Sequence, residues 1–219
     1  MGPITLSASG KLGTRLQFEI KARTEGYKRV AGLDEAGRGP LAGPVVAACV
    51  ILPEDCQGLE DLDDSKKLSA EKRRELFILI HERALHVGVG IVDAGTIDRI
   101  NILQATFLAM RKAVAALSAQ PDYLLIDGNR RPEWAGAAAS CLVRGESQSL
   151  SIAGASIIAK ETRDRIMLDY DHLYPHWGFA RHKGYGTQAH LEAIRRHGVC
   201  DLHRRSFAPI QQLTLAWAD

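Results

Sequence analysis

Asp34 and Glu35 stand side by side after the apolar run Val30-Ala31-Gly32-Leu33, and Gly37-Arg38-Gly39-Pro40 follows at once. Adjacent carboxylates at a strand end repel each other and are costly to desolvate. A divalent cation would offset both penalties. The glycines let backbone approach a ligand closely, and the Arg38 guanidinium suits a phosphate. Carboxylates, cation and phosphate together point to phosphodiester chemistry. On a regular strand Asp34 and Glu35 face opposite ways, so both reach one cation only if the strand ends or bulges there. Asp127 closes a second apolar run, Tyr123-Leu124-Leu125-Ile126, and precedes Gly128-Asn129. A carboxylate so placed can point into a cleft, although taken alone Asp127-Gly128 reads better as a turn.

Five ordered segments carry a resemblance. They are Val30–Pro44, Asp64-Ser65-Lys66-Lys67-Leu68-Ser69, Leu125-Ile126-Asp127-Gly128-Asn129, Ser151–Lys160, and His182-Lys183-Gly184-Tyr185-Gly186-Thr187. From about Val30 to about Pro209 the chain resembles the bacterial ribonuclease HII family. The resemblance implies an α/β, ribonuclease H-like fold: a five-stranded mixed sheet flanked by helices, with a small helical C-terminal subdomain. It implies an endoribonuclease that hydrolyses the RNA strand of RNA–DNA hybrids. It also implies incision 5′ of ribonucleotides embedded in duplex DNA, leaving 5′-phosphate and 3′-hydroxyl ends.

The resemblance makes Asp34, Glu35 and Asp127 metal ligands and catalytic residues. It places a fourth acid in the loop before the Ser151–Lys160 segment, where this chain has Glu146. Many relatives have Asp there, and the longer side chain would shift a second cation. Asp164 is the rival, but it lies on a helix between Arg163 and Arg165, where a salt bridge explains it. Loops carry ligands readily, so Glu146 is preferred. Oxygen donors without cysteine favour Mn²⁺ or Mg²⁺ over Zn²⁺. One cation would lower the pKa of the attacking water and another stabilise the leaving 3′ oxygen, about 3.5–4 Å apart.

Recognition of RNA needs donors near the 2′-hydroxyl. The backbone groups of Gly37, Arg38 and Gly39 are candidates. Tyr185 lies between two glycines and reads as an exposed aromatic with a polar tip; the resemblance makes it the sensor of the sugar at an RNA–DNA junction. Lys66, Lys160 and Lys183 are candidate phosphate contacts. The His197, Cys200 and His203 spacing is weak evidence for zinc, and Pro175 disrupts a helical pairing of His172 with His176. Arg204-Arg205-Ser206-Phe207 resembles a family segment near the substrate, with a mainly structural role. Two other readings compete. Another ribonuclease H-like nuclease, such as a Holliday-junction resolvase, would lack the GRGP and GYG segments. An idle hybrid-binding protein would have lost a core carboxylate, and all four candidate positions are acidic.

The elements that must position these groups follow from periodicity. Val30–Asp34, Val45–Leu52, His86–Val92, Tyr123–Ile126 and Ser140–Val143 read as strands, the first three joined by hairpins. Ser69 reads as the N-cap of a helix through Leu76, Phe77, Leu79 and Ile80. Ile97 to Leu117 recur at helical spacing, Ile152–Tyr170 is helical, and Gln188–His197 is the one helix expected in the tail. Small residues Ala153, Gly154, Ala155 and Ser156 allow that third helix to pack closely on a sheet. The expected domains are an extension over 1–28 with a short helix around Leu16–Ala22, a catalytic domain over 29–172, and a substrate-binding subdomain over 173–219.

At 219 residues, 46% hydrophobic and 25% charged, the chain is long enough for one full core. No apolar run approaches the ~18 residues a membrane span needs, and no signal-peptide core is visible. Four scattered cysteines without a CxxC fit a reduced, cytoplasmic protein, taken to be a monomer. The net charge of +2 hides two basic ends: residues 1–29 and 172–206 each carry six Lys/Arg against two acids. Basic ends around an acidic centre suit a polyanion held near metal-binding carboxylates.

Overall fold

A computed structural model describes residues 11–135 and 138–215. The strands are β1 (Val30–Ala36), β2 (Val45–Ile51), β3 (His86–Val92), β4 (Tyr123–Asp127) and β5 (Ala138–Leu142). They form one mixed sheet in the order β3-β2-β1-β4-β5, with β4 parallel to both β1 and β5. Helices α1 (Lys11–Arg15) and α2 (Gln17–Thr24) precede β1, while α3 (Ala70–Arg83) and α4 (Ala94–Ala115) flank β3 in the chain. After β5 come α5 (Leu150–Leu173), α6 (Phe179–His182), α7 (Gln188–His197) and α8 (Ala208–Leu215). The α/β fold is the expected one. β2 is buried along its whole length and β1 through Asp34, which is why both read as unbroken apolar runs.

Several elements depart from expectation. The link from β2 to β3 carries α3, so those strands are not joined by a hairpin. α4 is interrupted at Asn101, whose φ of 65° leaves the helical region. The Asn101 carboxamide accepts from the N–H groups of Leu103 (3.0 Å) and Gln104 (3.1 Å) and so restarts the helix as an internal N-cap. Among the described residues the tail holds three helices where periodicity predicts one. α6 is only four residues long, too short for a 3.6-residue repeat to register, and α8 has Pro209 in its first turn, where proline is tolerated. The expected cap of α3 forms, with Lys72 N–H donating to Ser69 Oγ at 3.1 Å.

The chain divides into two compact units. One holds the chain up to Asp34 with Cys49–Val87 and Leu117–Ile157. Ala22, Val30, Leu125, Leu142 and Ile152 form a core cluster there, with Phe18, Tyr27 and Tyr123 against it. Each large apolar side chain so buried contributes roughly 1.5–3 kcal/mol. α5 approaches β1 closely in this unit: a Cβ on Gly32 would collide with the main chain of Ser151. The other unit holds Glu35–Ala48, Gly88–Ala116 and the chain from Ile158. Its clusters join Ala42, Met167, Phe179 and Cys200, and separately Leu41, Ile194 and Ile210.

Candidate active site

In the first unit the parallel register brings carboxylates together. Leu33 of β1 pairs with Ile126 of β4, so the next step along both strands is Asp34 beside Asp127, on the same face. Asp34 is 6% exposed. β5 pairs Leu142 with Asp127 and leads into Arg144, in the left-handed region at φ 57°, and a 3-10 turn, Gly145–Ser147. The Gly145 N–H donates to Asp127 Oδ1 at 2.7 Å. A Cβ at Gly145 would press on the tip of the Ile152 side chain, so a larger residue there requires that side chain to move aside.

That loop delivers Glu146 to Asp127. The two carboxyls are within hydrogen-bonding reach, and Glu146 Oε2 is buried without a partner. Burial raises the Glu146 pKa, and the charges of Asp127 and Asp64 raise it further. Asp64, at the head of the Asp64–Ser69 segment, was not singled out as a site residue from its sequence. Its carboxylate also accepts the Lys66 N–H at 2.9 Å, which holds the segment in a turn. Among the described residues no three His, Cys, Asp or Glu side chains converge tightly enough to hold a metal ion as they stand. Even so, hard oxygen donors, one of them orphaned and repelled by a neighbour, fit a divalent cation.

The second unit carries the loop after the carboxylates. β1 does not end at Asp34 but continues through Ala36, so the strand end required by alternation comes later than expected. Glu35 is largely buried and pairs with the exposed Arg38 at 3.1 Å. Two buried arginines grip the loop from Gly37 to Pro44. Arg204, 0% exposed, donates to the carbonyls of Gly37 (2.6 Å), Arg38 (3.0 Å) and Gly43 (2.9 and 3.0 Å). Arg163 donates to Pro44 (2.9 Å) and Ala42 (3.1 Å). Burial lowers the pKa of both. Gly37 has φ 95° and no room for a Cβ beside Arg163, so the loop needs glycine there. The sequence suggests a salt bridge with Asp164 for Arg163 and only a structural role for Arg204, and neither reading supplies these carbonyl partners.

Tyr185 is 46% exposed and stands beside this loop: a Cβ on Gly39 would lie 3.9 Å from its ring. Leu41 N–H donates to Gly184 at 2.8 Å. A directed chain of hydrogen bonds holds Tyr185 from behind. Cys200 N–H donates to His203 Nδ1 at 2.9 Å, the two Nε2 atoms of His203 and His190 meet at 3.1 Å, and His190 Nδ1 reaches the Tyr185 carbonyl at 3.0 Å. The carbonyl only accepts, so His190 must carry its proton on Nδ1 and His203 on Nε2. Two residues considered for zinc, Cys200 and His203, are thus joined to each other, while His197 stacks on His176 at 5.0 Å.

The remaining candidates separate. Lys66 is exposed. Lys160 binds Asp164 at 2.6 Å, so the salt bridge expected for Asp164 forms with Lys160, and Arg163 is committed to carbonyls instead. Lys183 donates to the Ala180 carbonyl, and burial lowers its pKa.

Residues 31–210 match the family described as Ribonuclease HII. The ribonuclease HII of Geobacillus thermodenitrificans is 56% identical over 197 residues, 90% of this chain and 75% of that one. That of Geotalea daltonii is 53% identical over 204 residues, 91% of each. The chain belongs to the ribonuclease HII family. As a ribonuclease HII it is a metal-dependent endoribonuclease acting on RNA–DNA hybrids. Solved structures share its fold. Ribonuclease H2 from Pyrococcus horikoshii superposes with a TM-score of 0.74 at 24% identity, covering 88% of this chain and all (100%) of that one. Bst-RNase HIII, solved in complex with Mn²⁺, has a TM-score of 0.67 at 22% identity, covering 90% and 72%. No helix among the described residues is long and apolar enough to cross a membrane.

Proposed function

We propose that this ribonuclease HII also incises 5′ of ribonucleotides embedded in duplex DNA, using Mg²⁺ or Mn²⁺ held by Asp34, Glu35, Asp127 and Glu146. The observation that carries the metal reading is the unpartnered Glu146 oxygen beside Asp127, one register step from Asp34. Glu35, the next residue in the chain, completes the set by family resemblance. A divalent cation bound there supplies a Lewis acid at the phosphate and a lower pKa for a bound water.

The chain's own residues do the rest. The Gly145 N–H orients the Asp127 carboxylate. Asp164, already neutralised by Lys160, stays outside the ligand set. With the carbonyls of Gly37, Arg38 and Gly43 turned onto Arg204, the Arg38 and Gly39 N–H groups are left to face the ribose. Tyr185, next to Gly39, stacks on the sugar or base at the junction. Lys66, Lys160 and Lys183 serve as phosphate contacts. The products carry 5′-phosphate and 3′-hydroxyl ends. The segments up to residue 28, over 29–172 and over 173–219 serve as extension, catalytic domain and substrate-binding subdomain of a monomer. Free cysteines at 49, 56, 141 and 200 support a reduced, cytoplasmic setting.

The test is cleavage of a duplex with one embedded ribonucleotide, in Mg²⁺ and in Mn²⁺. The parent should cut once, 5′ of the ribonucleotide. Asp127→Asn should stay folded and lose turnover. Loss of an outer partner of a ligand costs roughly 10–100-fold, so loss of a ligand should cost more. Near-parental cleavage by Asp127→Asn would exclude its role.

A further inference from the structure

α1 and α2 lie before residue 31, where the family match begins. Their side chains nevertheless hold the loop that carries Glu146. Arg15 Nη2 donates to the Glu146 carbonyl at 3.0 Å, and Arg15 Nη1 donates to the Leu62 carbonyl. The same guanidinium is 3.9 Å from the Asp63 carboxylate. Glu19, in α2, is 0% exposed. Its Oε1 accepts from Ser149 Oγ at 2.6 Å and from the Ser151 N–H at 3.0 Å, at the start of α5. Ser149 Oγ in turn accepts from the Ile152 N–H at 3.2 Å. One short segment thus binds the chain at 146, 149 and 151, and also at 62, two residues before Asp64.

The loop needs such an anchor. Glu146 sits in a three-residue 3-10 turn, which makes few bonds of its own. Its carboxyl lies within hydrogen-bonding reach of the Asp127 carboxyl, where two negative charges repel. Repulsion would swing an unrestrained loop away from Asp127. Both donors meet Glu19 Oε1, its Oε2 being buried without one, and a buried carboxylate is costly to strip of the donors it has. We propose that the N-terminal segment, through Arg15 and Glu19, is a positioning brace that keeps Glu146 beside Asp127 ready for a divalent cation. The proposal rests on Glu146 being a metal ligand.

The test uses the full chain with Mn²⁺ alone as the probe. Mn²⁺ binding is followed by calorimetry and by the rise in melting temperature, for the parent, Arg15→Ala, Arg15→Lys, Glu146→Gln and the Arg15→Ala/Glu146→Gln double variant. Arg15→Ala should weaken Mn²⁺ binding by about tenfold, as loss of an outer partner of a ligand does. Half-maximal cleavage should need correspondingly more Mn²⁺, with KM for the hybrid unchanged. Arg15→Lys keeps one donor and should recover part of the loss. In the Glu146→Gln background, Arg15→Ala should add nothing. Parental Mn²⁺ binding by Arg15→Ala, beside weakened binding by Glu146→Gln, overturns the brace and leaves Glu146 as a ligand. Equal losses from Arg15→Ala in both backgrounds also overturn it, because Arg15 then acts on the fold at large. Parental binding by Glu146→Gln overturns the ligand assignment and the brace together.

Discussion

At the scale of single residues, Glu146 is the most exposed to test. Its pKa is raised, first by burial and then by Asp127 and Asp64. A carboxyl whose folded pKa lies above its unfolded value favours folding when protonated. That contribution is lost as pH rises from the unfolded value of about 4.3 through the folded one. Above the unfolded value and without metal, Glu146 is therefore a burden on folding. Glu146→Gln should raise the metal-free melting temperature at neutral pH and lose most cleavage. Asp164→Asn loses an attractive partner of Lys160, so it should slightly lower the melting temperature and keep most activity. Melting curves and single-turnover cleavage check both. An inactive Asp164→Asn beside an active Glu146→Gln would reverse the ranking of the two acids.

At the scale of elements, the loop between β1 and β2 is defined by what it does not satisfy internally. Its carbonyls turn inward onto Arg204 and Arg163, and both guanidinia are buried. A lysine keeps the charge at 204 but not the planar fork that reaches three carbonyls at once. Each buried carbonyl left without a donor costs about 1–3 kcal/mol. Arg204→Lys should therefore destabilise the protein by at least about that amount, read as a lower urea midpoint with an unchanged slope. Unchanged stability would mean that the loop holds itself.

At the scale of the whole molecule, the buried histidines tie stability to pH. His190 and His203 are each pushed down to about 4, chiefly by burial, with nearby His182 adding to the effect. In the unfolded chain they take up protons near pH 6.5. Between those values the unfolded state binds more protons, so this part of the stability is complete above about pH 6.5 and falls as pH drops toward 4. Protonation also breaks the relay to Tyr185, because His190 Nε2 and His203 Nδ1 can no longer accept. Urea unfolding at about pH 7 and about pH 5 should show a loss on the order of a few kcal/mol at the lower pH. The His190→Gln/His203→Asn double variant should flatten that slope. A parent equally stable at both pH values would contradict the buried neutral relay.

The residues of the candidate site and most elements that carry them were legible in the sequence, because their signals are local. β3 and α7 match their expected spans, and the Ser69 cap lies within three residues of its partner. The apolar run ending in Asp127 marks the end of β4, whereas the run ending in Asp34 marks the buried part of β1, which continues through Ala36. The break at Asn101 is also local, but a side chain capping its own helix at positive φ leaves the apolar repeat intact and so hides from it. Only tertiary structure decided what the arginines and histidines do. In the sequence Arg15 counts only toward a basic end, Arg163 reads as a salt-bridge partner of Asp164 and Arg204 as structural, until carbonyls from residues 62, 146 and 37–44 are brought to them. The same holds for Glu146. The segment order shows that an acid stands there, but its raised pKa arises first from burial and then from Asp127, 19 residues earlier, and from Asp64. Burial and charge repulsion depend on which distant groups share a volume, and folding alone sets that.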